Sequence, residues 1–173
     1  MNKLQLDRYA RDAIAWRDWA KINYRASATL FASDNPFLYL PAATLAHHAL
    51  EMYLKAALIW EGLVIFNPAK VASLDPAYGL TAVDCAWGHV LVDLAGQLSE
   101  RRTDFDLSAG MGLADSEVLI MPKTVRAALE MFDPFFSELR YPQELKEMKG
   151  VGQEEKLVLD LLVNLLIPFA SKG

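Results

Sequence analysis

Residues 45–56, LAHHALEMYLKA, set two adjacent histidines, a glutamate and a lysine inside an otherwise apolar run. With a helical period, His47, Glu51 and Lys55 fall at i, i+4 and i+8 and share one face. Opposite charges four residues apart support a helix, so a Glu51–Lys55 pair is expected there. His48 points about 100° away from His47, and the two cannot easily share a metal ion. A metal reading would join His47 to Glu51 and recruit His89, but Lys55 on the same stripe opposes a cation. No metal and no cofactor is therefore expected.

Outward from this stretch, helical periodicity continues. The helix around it starts at or just before Pro41, a residue suited to a first turn, and runs to about Glu61 with Gly62 as its C-terminal cap. Upstream, Tyr9, Ala13, Trp16, Ala20, Tyr24 and Phe31 mark one apolar face of a helix from about Gln5 to Ala32. SDNP at 33–36 stops it. Downstream, residues 63–84 hold two prolines and read as an irregular connection. A third helix is expected from about His89 to Arg101, followed by a loop-rich stretch to residue 121. A fourth is opened by Pro122, interrupted at Pro134 and closed before Pro142. The last, at 156–170, is apolar on nearly every side except a seam of Lys156, Asp160 and Asn164, so burial is expected. Its length is below the roughly 18 to 20 apolar residues that a membrane span needs. The chain thus reads as one all-α domain over residues 1–173, a bundle of about five helices.

Composition limits the function. With 173 residues, 53% hydrophobic and 23% charged, the chain is suited to one folded domain with a substantial core. A net charge of −5 gives no global attraction to nucleic acid or anionic lipid. The N-terminus carries charges through its first turns and lacks an apolar signal segment, which makes the cytoplasm the expected location. A single cysteine, Cys85, can form neither an internal disulfide nor a thiolate metal site alone, and a buried, inert role is expected for it. Phosphate-cradling glycine loops, HExxH, GxSxG and CxxC motifs do not occur. Arg17, Lys21 and Arg25 form a basic ridge that reads as a solvated face beside Asp18. Trp16, Trp19, Trp60 and Trp87 read as core or interface residues.

Three short motifs together resemble the HEPN family, the nucleotide-binding domain of higher eukaryotes and prokaryotes. The first is the apolar helix with Ala49, Glu51, Leu54, Lys55 and Ala56 followed by Gly62. The second holds Gly88, His89, Leu91 and Leu94, and the third Arg140, Tyr141 and Pro142. Their order and spacing extend the resemblance over roughly residues 5 to 170. It implies an antiparallel up-down helical bundle, commonly a homodimer, that works with a nucleotide, RNA or a nucleotidyltransferase-type partner protein. Many members of the family are metal-independent ribonucleases, often toxins of toxin–antitoxin pairs, with an arginine followed about four to six residues later by a histidine. This chain departs there, because no histidine follows Arg140. The resemblance therefore implies the binding branch of the family, with Glu51, Lys55, His89, Arg140 and Tyr141 as candidate ligand-binding residues. The alternative is a ribonuclease using Arg140 with an atypical base such as Glu144 or His89.

Overall fold

The structure, a computed structural model, describes residues 9–114, 120–137 and 152–171. Most of the described residues are helical, and the only sheet among them is a pair of two-residue strands. Among the described residues, no helix is long and apolar enough to cross a membrane.

The first helix, α1 (Ala13–Phe31), is shorter than its periodicity predicts. The chain is helical at residues 9 and 10, breaks at 11 and 12, and restarts where the Asp12 carboxylate accepts the Ala15 N–H at 2.9 Å. Aspartate competes for backbone amides in this way, and it converts a continuous helical pattern into a break and a cap. Tyr9, expected on the apolar face, is consequently exposed.

Helix α2 (Tyr39–Trp60) is the centre of the fold and touches every other helix described below. It begins two residues before Pro41, because Asn35 caps a 3-10 turn at Pro36–Leu38 that runs directly into it. Gly62, at φ 87°, ends the helix. The Leu63 N–H reaches the Leu58 carbonyl at 3.0 Å and the Gly62 N–H reaches that of Ile59 at 3.0 Å, a closure that requires a left-handed residue after the helix. Ala42, Ala43, Ala46, Ala49, Ala56 and Ala57 are all fully buried, and their small side chains allow neighbours to approach α2 closely. Against it α1 is pinned by Ser27, whose buried Oγ donates to the Ala42 carbonyl at 2.8 Å.

The irregular connection after α2 contains a parallel pair, β1 (Val64–Ile65) and β2 (Cys85–Ala86), between which lie three 3-10 turns. Cys85 is buried there, and burial pushes its thiol pKa up. Helix α3 (Leu91–Arg101) begins two residues later than expected, so His89 lies in the loop before it. Its start is set from outside the helix: the Leu91 N–H donates to the Asp133 carboxylate at 2.6 Å.

Asp133 lies between α4 (Val125–Phe132) and α5 (Pro134–Ser137), the two halves into which Pro134 divides the predicted fourth helix. Residues after Pro122 stay extended, because Met111 N–H and Val125 N–H bond the carbonyls of Lys123 and Ala109. Thr124 then caps α4 through the Ala127 N–H. The last helix, α6 (Gln153–Leu166), buries Val158, Leu159, Leu162, Val163 and Leu166. Its predicted polar seam is present: Lys156 pairs with Asp160 at 2.6 Å, and the Tyr24 hydroxyl of α1 donates to Asp160 at 2.9 Å. Burial and this carboxylate raise the Tyr24 pKa to about 12.

Because Asp133 caps α3 across the fold, Asp133→Ala should lower the unfolding free energy by about 1 to 2 kcal/mol in urea titration. Asp133→Asn, which keeps an acceptor, should recover most of it.

Candidate functional site

The i, i+4, i+8 stripe of α2 becomes a buried charge cluster. Glu51 and Lys55 have side chains only 6% and 4% exposed, and Lys55 Nζ lies 2.5 Å from Glu51 Oε1. The predicted pair is therefore real, but it is internal rather than solvated. The same Oε1 accepts from His89 Nδ1 at 3.0 Å, across from the loop before α3. On the other side, His47 Nε2 comes to 3.6 Å from Glu51 Oε2. One carboxylate thus faces three basic side chains.

Each partner is held by a different device. His47 is fully buried, and its Nδ1 is 3.1 Å from the Phe132 carbonyl at the end of α4. A carbonyl only accepts, so Nδ1 carries a proton. Neither His47 Nε2 nor Glu51 Oε2 has a hydrogen-bond partner among the described residues. A proton on Nε2 makes their approach an ion pair, whereas a lone pair there would face the carboxylate. Lys55 Nζ sits 5.2 Å from the Trp16 ring of α1 and 5.9 Å from the Trp87 ring of the pre-α3 loop. Its charge is thereby shared between a carboxylate and two π-faces.

His89 is the open member, with its side chain 44% exposed. Its ring stacks on Phe136 of α5 at 4.3 Å and 14°. Gly88, at φ 118°, supplies the turn that carries the chain from Trp87 to His89. That conformation is accessible to glycine and strained for other residues. Because a carboxylate only accepts, His89 Nδ1 donates, and in the neutral ring the lone pair belongs to Nε2.

The electrostatics follow from this geometry. Burial alone would raise the Glu51 pKa, but the His47 ring, the Lys55 ammonium and then His89 outweigh it and hold the carboxyl at about 2. His48, beside the cluster, is lowered, chiefly by burial. Among the described residues no three His, Cys, Asp or Glu side chains are arranged to hold a metal ion.

Of the sequence candidates, Glu51, Lys55 and His89 converge; Arg140, Tyr141 and Glu144 lie outside the described residues. The sequence reading placed His47 on the face of Glu51 and Lys55 but left it out of the candidate ligand-binding residues, whereas the structure sets it against the Glu51 carboxylate. The sequence reading also missed the role of the tryptophans, none of which is buried. Trp16 and Trp87 flank Lys55, Trp19 is exposed, and Trp60 Nε1–H bonds the Ala170 carbonyl. No local pattern could have paired Trp16 with Trp87, because they are brought together only by packing. The basic ridge does behave as a solvated face, with Asp18 bridging Arg17 at 3.2 Å and Lys21 at 3.5 Å.

No known family model matches the chain, and no match was found among curated proteins or solved structures.

The cluster makes a sharp stability prediction. Glu51→Gln leaves the Lys55 ammonium buried without its counter-charge and should cost about 3 to 5 kcal/mol, read by chemical denaturation. Since the folded pKa of Glu51 lies below its ordinary value of 4.5, its stabilisation is complete above pH 4.5 and is lost as pH falls toward 2. At about 1.4 kcal/mol per pH unit, wild-type protein should lose about 3 kcal/mol over that window beyond what Glu51→Gln loses.

Proposed function

We propose that this protein is a HEPN-like binding module, an antiparallel helical bundle acting as a homodimer that binds a nucleotide or the end of an RNA without catalysing a reaction on it. The observation that carries the reading is the placement of two exposed aromatic rings, Trp87 and His89, beside the Lys55 ammonium and above a buried Glu51. Aromatic rings stack bases with little regard to sequence, and the His89 ring, when protonated on both nitrogens, would donate Nε2–H to a phosphate oxygen while Nδ1–H stays on Glu51. The family resemblance implies Arg140 and Tyr141 as further ligand-binding residues, and both lie outside the described residues. It also supplies the alternative macromolecular partner, a nucleotidyltransferase-type protein.

A second reading has an observation of its own. A buried carboxylate on Nδ1 of an exposed histidine is the arrangement that orients an imidazole as a general base. His89 would then remove the 2′-hydroxyl proton of RNA, and Arg140 would balance the charge that develops on phosphate.

One set of measurements separates these readings. Calorimetric titration with mononucleotides and short single-stranded RNA should give saturable binding, which Trp87→Ala should weaken by about tenfold, the lower range for loss of one stacked base. Absence of heat for every ligand would overturn the nucleotide reading. Incubation of the same RNA with wild type and His89→Ala should leave it intact in both. Cleavage by wild type that His89→Ala abolishes would instead establish the ribonuclease.

A further inference from the structure

The first turns of α1 leave a cavity of about 380 Å³, lined by Tyr9, Asp12, Ala15, Trp16, Trp19 and Met52. Half of that lining is aromatic, and among the described residues its one charged side chain is the carboxylate of Asp12. The size falls within the range that takes a small organic molecule. Asp12, Ala15, Trp16 and Trp19 share a face of α1 because they follow one another at three- and four-residue steps.

The walls are held by the protein's own bonds. Trp16 Nε1–H donates to the Tyr9 carbonyl at 2.6 Å, which fixes the indole across the helix start. Asn23 Nδ2–H donates to the Trp19 carbonyl at 2.9 Å and contacts Met52 Sδ at 3.5 Å, joining this edge of α1 to α2. Asp12 uses Oδ1 to cap α1, and Oδ2 makes no hydrogen bond among the described residues.

Charge and chemistry select the ligand. An anion would meet the Asp12 carboxylate and, among the described residues of the lining, no cation. A cation gains from the carboxylate and from the negative faces of the rings, as Lys55 already does at 5.2 Å from Trp16. The positive end of the α1 dipole opposes it with about half an elementary charge, less than the full charge of Asp12. A bare ammonium or a guanidinium would bring several N–H donors to a lining that offers them one carboxylate. Methyl groups on nitrogen remove those donors and pack against the rings and the Met52 thioether.

We propose that this cavity is a binding site for a quaternary or multiply methylated ammonium group. It is independent of the nucleotide reading and uses a different set of side chains from the Trp87–His89 surface.

Calorimetric titration of the full chain with choline and with tetramethylammonium tests it, with 3,3-dimethylbutan-1-ol as the uncharged isostere of choline. Both cations should bind saturably, and the alcohol at least about tenfold more weakly, since the cation–π and ionic terms are lost. Asp12→Asn should weaken choline by about tenfold while leaving the thermal midpoint unchanged, because asparagine caps helices as well as aspartate. Trp19→Ala removes an exposed ring, should keep the fold, and should abolish measurable binding. Equal affinity for the alcohol would reduce the cavity to an apolar cleft. No saturable binding of either cation, or undiminished binding by both variants, would overturn the site.

Discussion

The central constraint on this fold is that the Glu51 carboxylate is ionised almost out of reach of water. Moving a charge from water into a protein interior costs several kcal/mol even after relaxation, and the cost is recovered only by close, well-oriented partners. Here those partners come from three places: Lys55 one turn along α2, His47 one turn back, and His89 from the loop before α3. Each has a second support that keeps it in position, namely the Trp16 and Trp87 rings, the Phe132 carbonyl and the Phe136 ring. Removing any one support leaves the others around an incompletely neutralised charge, so the cluster ties α1, α2, α4, α5 and the pre-α3 loop into a single arrangement.

The surrounding elements can be understood as what makes that arrangement possible. Buried alanines let α2 run through the middle of the molecule with neighbours closely packed on it. The short β1–β2 pair holds the long connection so that Trp87 and His89 arrive beside α2. Asp133 fixes the first turn of α3 from the break between α4 and α5, the same break that brings Phe136 under His89. Pro134, which divides that helix, therefore has a positional consequence well beyond a kink.

Two surfaces of differing character flank the cluster. On the side of Trp87 and His89 the rings are exposed beside the buried Glu51–Lys55 pair. On the side of Tyr9 and Trp19 the one charge among the described lining residues is the Asp12 carboxylate. Trp16 contributes to the second surface and also contacts Lys55. That shared ring places a physical connection between the two regions.

The sequence alone determined the helical class, the position of α2, the interruption at Pro134 and the Glu51–Lys55 pair, because each depends on interactions within about four residues along the chain. It also pointed to His89 as a partner for Glu51, through the resemblance rather than through spacing. It misplaced the starts of α1 and α3, where a capping aspartate, local for Asp12 and remote for Asp133, competes with periodicity. Only the tertiary structure decided that the charged stripe is buried, that His47 meets the Glu51 carboxylate, and that Trp16 and Trp87 come together around Lys55. Burial and cross-chain contact depend on which faces the helices present to one another. A helical period marks a face as polar; the neighbours packed on it decide whether that face meets water or becomes the interior.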